Sequence, residues 1–133
     1  MMAPCGDVAG AVASMLCALG FANVFCAPPS AGFCAEPIVV AQGPFAREAR
    51  LTDGTERGRV DVGVLACREE AGAAEAVCLA AERSLRGAAW PIDVDGVRIA
   101  SADSDGSGPR GRDGSGRWLW GFTLICTVVR HVG

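Results

Sequence analysis

Apolar residues change their spacing along this chain, and the changes mark out the elements. Between positions 8 and 19, Val8, Val12, Met15, Leu16 and Leu19 return at steps of three and four, the period of one helix face. Asp7 precedes them as a candidate cap and Gly20 follows as a left-handed stop, so a short amphipathic helix is predicted. Residues 21–26 read as a strand. It ends at Ala27-Pro28-Pro29-Ser30, because proline has no N–H for a central ladder, and a loop to Glu36 is expected. The β-branched run 38–42 and the alternating run 45–51 predict two more strands. Asp53-Gly54 then supplies a hairpin turn into a strand over 59–67, with Val60, Val62, Val64 and Ala66 on one face.

The helical period returns over 69–86. Ala74, Cys78, Ala81 and Leu85 share a face with Val77 beside it, and Glu75, Glu82, Arg83 and Arg86 are expected to look outward. Glu69 and Glu70 suit the helix start, and Gly87 lies just past its end. A strand is predicted over 94–101, around Asp95-Gly96, and a long one over 117–130. One side of the long strand carries Trp118, Trp120, Phe122, Leu124, Cys126 and Val128, and the other Leu119, Thr123, Ile125 and Val129. With both faces largely apolar, it is predicted to be central or covered. The segment 103–116 is rich in glycine and serine and reads as an exposed, flexible loop. Together these elements predict an α+β fold, a mainly antiparallel β-sheet packed against two α-helices in the order α-β-β-β-β-α-β-β, forming a single domain over 1–133.

Composition narrows the function classes. At 133 residues, 50% apolar and 20% charged, the chain has room for one core and is neither disordered nor collagen-like. The most apolar stretch, 118–129, is too short to span a bilayer and contains Gly121, Thr123 and Thr127. No basic residue precedes Arg47, and Asp7 stands where a secretion signal needs positive charge, so neither membrane insertion nor export is expected. A net charge of −3 gives no strong field for nucleic acid or acidic lipid. All 12 basic residues are arginine, which reads as the codon bias of a GC-rich genome.

Candidate chemistry is sparse. The seven cysteines contain no C-x-x-C pair, which argues against a zinc ribbon. Cys17, Cys67, Cys78 and Cys126 fall in apolar patterns as small hydrophobes, and an odd count without a leader suits a reducing compartment. Gly106-Ser107-Gly108-Pro109-Arg110-Gly111 has the letters of a dinucleotide fingerprint, but a strand follows where a helix is needed. Asp103, Asp105 and Ser107 imitate the start of a calcium loop whose closing position is Gly114. The sole histidine, His131, stands three residues from the C-terminus, and a thiol enzyme would need Cys126 or another cysteine folded beside it. No catalytic, cofactor or metal residue is therefore assigned. A small cytoplasmic Cys/His enzyme and a generic host protein-binding module stand as alternatives to a structural role. Arg110, Arg112 and Arg117, offset only by Asp113 and next to Trp118, form a local positive segment suited to phosphate or an acidic protein face. These four charged residues are the candidate protein interface.

The order of motifs resembles small siphophage tail-terminator and minor-capsid head–tail joining proteins. The likeness is carried by the helix ending at Leu19-Gly20-Phe21, the meander through Ile38-Val39-Val40 and 60–67, and the alanine-rich helix. It continues in the last strand, entered through Arg112-Asp113-Gly114-Ser115-Gly116-Arg117-Trp118. The glycine-rich segment before Arg112 is long for a simple hairpin, and the 27–36 loop, with Cys26 and Cys34, has no counterpart in that pattern. The resemblance implies an α+β sandwich whose copies assemble, as a hexamer, into a ring at the end of a tail tube. Its partners would be other copies of itself and neighbouring tail-tube or connector proteins, with no cofactor, no membrane and no specific nucleic acid. Its place would be the virion, or the bacterial cytoplasm during assembly.

Overall fold

The computed structural model describes residues 7–29, 32–94 and 97–131. Its elements are α1 (Asp7–Ala18), β1 (Val24–Phe25), β2 (Ile38–Gln42), β3 (Ala46–Arg50), β4 (Thr55–Arg68), α2 (Ala71–Arg86), β5 (Ile92–Val94), β6 (Val97–Ser104), β7 (Gly108–Arg112) and β8 (Trp118–His131). The α+β class and the mainly antiparallel sheet agree with the sequence reading, with two more strands after α2 than expected.

β4 and β8, each 14 residues long, pair antiparallel from Thr55↔His131 to Arg68↔Trp118 and form the middle of the sheet. Each is long enough to carry two short strands end to end on its outer edge. β3 and β2 share that edge of β4, and β6 and β7 share that of β8. β1 extends the β2 side in parallel, and β5 extends the β6 side antiparallel. Strand alternation puts Val60, Val62, Val64 and Ala66 of β4 on one face with Phe122, Leu124, Cys126 and Val128 of β8, all buried. The helices cover this face: Val8, Val12 and Leu16 of α1 and Ala74, Cys78, Ala81 and Leu85 of α2 join the same core. Burying each of the larger side chains contributes about 1.5–3 kcal/mol.

The ends of α1 follow the sequence signals. Asp7 Oδ1 accepts the Val8 N–H at 2.9 Å, and Gln42 Oε1 accepts the Ala9 N–H at 2.7 Å while its amide donates to Asp7 at 3.1 Å. The cap is thus shared between the helix and β2. At the other end Gly20 takes φ +97°, with Gly20 N donating to Cys17 O and Phe21 N to Leu16 O, which is the Schellman pattern.

Four expectations are corrected. The first strand shrinks to two residues because Asn23 adopts φ +59°, which turns the chain just before Val24. Cys17 is exposed on the outer side of α1 beside Ser14 and Ala18, so it is no core residue. Glu82 is buried, 7% exposed, because α2 packs over the end of β6, where Ser104 Oγ donates to its carboxylate at 2.5 Å. The segment 94–101 is a hairpin, β5 and β6, whose turn at Asp95-Gly96 lies outside the described residues.

The predicted loop 103–116 is also structured. β6 runs on to Ser104 and β7 occupies Gly108–Arg112. Its glycines make defined turns: Gly106 has φ +96°, Gly116 φ +82°, and Gly111 φ +88° where β7 bulges against β8. Between the stretches of β8 covered by β6 and β7, Thr123 would lack a hydrogen-bond partner on that edge. Asp105 fills the gap, its carboxylate accepting the Thr123 N–H at 2.8 Å and its own N–H donating to Thr123 O at 3.1 Å.

Gly58 marks the tightest place in the sheet. A Cβ there would lie 2.5 Å from Ala46 O and 2.6 Å from the Phe45 ring, over which the Arg130 guanidinium sits at 3.8 Å. Gly58→Ala is expected to lower stability by about 1–3 kcal/mol through overpacking, read as a shifted urea midpoint with an unchanged slope. A neutral substitution would contradict this packing.

Candidate interaction surface

β7 pairs only with β8, so it is the outer strand at the end of the sheet where β4 finishes and β8 begins. The turn from β7 to β8 is built by Asp113. Its Oδ1 accepts the N–H groups of Ser115 at 3.0 Å and Arg117 at 2.9 Å, while its Oδ2 takes the Arg117 Nε–H at 2.6 Å. Burial works to raise the Asp113 carboxyl, but the Arg117 N–H and guanidinium and the Ser115 N–H outweigh it and hold the group below the ordinary carboxylate range. Arg117 also reaches across the fold, donating to Cys34 O at 3.3 Å and Ala35 O at 2.9 Å. That ties the 34–37 segment to the hairpin.

The four predicted interface residues therefore divide into two pairs. Asp113 and Arg117, 21% and 14% exposed, neutralise one another and serve as internal struts. Arg110 and Arg112 are exposed and meet no carboxylate among the described residues. Arg112 lies 4.6 Å above the Trp118 ring and donates to Gly116 O from Nε and Nη2 at 3.2 and 3.0 Å, which holds its guanidinium in place. Arg110 packs its stem over Gly121, where a Cβ would stand 3.5 Å from Arg110 Cγ and 2.9 Å from Val64 O. The surface is thus two uncompensated guanidinium groups and a part-exposed indole on a rigid hairpin.

The struts from Arg117 to Cys34 O and Ala35 O, and from Arg68 to Glu36 O and Pro37 O, link positions far apart in sequence, and no local pattern announces them. The aspartates weighed as calcium ligands are used internally. Asp105 serves the β8 ladder, and Asp103 accepts from its neighbour Ser104 and approaches Arg86 at 3.9 Å. No group of three or more potential metal ligands occurs among the described residues. The face of the sheet away from the helices carries Leu65, Leu119, Thr123, Ile125, Thr127 and Val129, all only partly buried. The expectation that β8 is central is met, and its second face is open.

The thiols give the enzyme alternative no activated nucleophile at Cys126. Burial, with a smaller contribution from Asp61, pushes it up to about 12, and burial with Glu82 does the same to Cys78. Burial also raises Cys67, against the opposing pull of Arg117. His131 closes β8 opposite Thr55, and its side chain lies outside what is described. Cys26 is disulfide-bonded, unlike the reduced state the cysteine count suggested, whereas Cys17, Cys34, Cys67, Cys78 and Cys126 are free.

No family model and no curated protein matches this chain. Among solved structures, it is similar to a protein chain in the virion of a native gene transfer agent particle. That match has a TM-score of 0.55 and 18% identity, covering 88% of this chain and 85% of the other. The two chains share a fold over nearly their whole lengths.

The buried thiols set a pH dependence. Their folded pKa values lie above the ordinary 9.0, so the neutral form is favoured by folding, and its contribution is complete below that value and lost as pH rises towards about 12. The thermal midpoint is expected to stay level to about pH 8.5 and then fall progressively by pH 10.5. Cys126→Ala should start lower at neutral pH by about 1 kcal/mol and fall less steeply. An equally steep decline in the variant would contradict the assignment.

Proposed function

We propose that this protein is a structural component of a phage-type particle, a tail terminator or head–tail joining subunit that forms a ring, a hexamer on the family pattern, at the end of a tail tube. The observation that carries this reading is the fold shared with a gene transfer agent virion chain across 88% of this sequence. It is supported by the sequence resemblance, which points independently to the same kind of particle. The surface is consistent with it: Arg110, Arg112 and Trp118 stand on a braced hairpin, a geometry for docking, and the strand edge of β3 is available to neighbours. In this reading the protein acts by shape and contact, without turnover, cofactor or metal, and Arg110, Arg112, Asp113 and Arg117 belong to its partner-facing end. The partners are other copies of the chain and a neighbouring tube or connector protein, and the protein resides in the virion after assembly in the bacterial cytoplasm.

The test is deletion of the gene from a particle-producing host, with electron microscopy and mass spectrometry of the particles released. The expected result is that the protein is present in complete wild-type particles, and that its loss leaves heads unjoined to tails or tubes of uncontrolled length. Particles that lack the protein yet assemble normally would overturn the reading.

A further inference from the structure

We propose that the outer side of β7 docks, in the next copy of this chain, on the acidic side formed by Glu36, Glu69 and Glu70. The inference rests on the ring reading and names the contact that would close it.

The register places both sides in one row of the sheet. Arg112 is opposite Trp118 across one ladder, and Trp118 is opposite Arg68 across the next. Glu69 and Glu70 continue directly from Arg68. Glu36 is drawn to the same place, its backbone O accepting Arg68 Nη1–H at 2.7 Å and its carboxylate accepting the Glu69 N–H at 3.4 Å. All three glutamates are exposed and none forms an ion pair among the described residues.

The charges of the two sides match in size and differ in sign. Three carboxylates with the one guanidinium of Arg68 leave −2 on the acidic side. Arg110 and Arg112 leave +2 on the other, because Asp113 and Arg117 cancel. Glu69 and Glu70 continue from β4, two strands from β7, and Glu36 precedes β2, one strand further on. Among the described residues no ion pair joins Arg110 or Arg112 to these glutamates within one copy. Two copies side by side can pair them, and the contact is head-to-tail, the kind that repeats in one direction until it closes.

Features of β7 favour a side-chain contact over strand addition. Pro109 has no N–H to offer, the strand bulges between Pro109 and Gly111, and it carries two arginines, all devices that blunt an edge. Trp118, 37% exposed beneath Arg112, supplies the aromatic anchor found at the centre of many interfaces.

The experiment is sedimentation velocity on the purified full-length chain at low and high salt, with R110E/R112E, E69R/E70R and their equimolar mixture; thermal melts verify that each variant is folded. The wild type is expected to self-associate at low salt and to dissociate as salt rises. Each double variant, with like charges on both sides, should associate about a hundredfold more weakly or worse. The mixture should recover association, because alternating copies again present opposite charges. A wild type that stays monomeric, variants that associate as it does, or a mixture that fails to recover would each overturn the proposal. The last two outcomes, with the protein still found in particles, would leave the virion reading standing and remove only this contact.

Discussion

The fold depends on one long pairing. β4 and β8 run antiparallel over their full length, and every other strand except the terminal β1 and β5 attaches to one of them directly. That pairing aligns Val60, Val62 and Val64 with Cys126, Leu124 and Phe122, the row on which both helices settle. It also fixes what stands at its ends. Because Arg68 is opposite Trp118, the start of α2, the 34–37 segment and the β7–β8 hairpin come together at one end of the sheet.

At that end, charge is used in two ways. Asp113 and Arg117 are largely covered and satisfied, with hydrogen bonds to the turn and to a distant loop, so they hold the surface in shape. Arg110 and Arg112 are left to solvent, one fixed by a carbonyl and an indole, the other resting on a glycine. A hairpin stiffened in this way loses little conformational freedom when it docks. The buried thiols are a contrast: low dielectric surroundings keep Cys78 and Cys126 protonated, and they behave as packing atoms.

Much of the fold was legible because the strongest sequence signals are local. The spacing of Val8, Val12 and Leu16, the alternation of Val60 to Ala66, and the stop at Gly20 each report a single element whose neighbours did not override it. What escaped prediction involves partners distant in sequence. Glu82 reads as an outward charge until Ser104 arrives beside it, and Asp105 reads as a loop carboxylate until Thr123 needs an acceptor. Glycine richness in 103–116 suggested disorder, whereas Gly106, Gly111 and Gly116 occupy left-handed positions that a turn or bulge requires. At the candidate surface all four charged residues were legible as a positive segment. Which pair braces it and which pair faces outward was not, since that depends on the carbonyls of Cys34 and Ala35.

The surface at the end of the sheet is a rigid extension of the β4–β8 pair. Amide hydrogen exchange under native conditions measures this directly, residue by residue. Val62 to Ala66 and Phe122 to Val128 are expected to exchange only through global unfolding. Asp113, bonded to Arg117 O, and Thr123, bonded to the Asp105 carboxylate, should be strongly protected as well. Exchange of Asp113 and Thr123 at the rate of an unstructured peptide would contradict it.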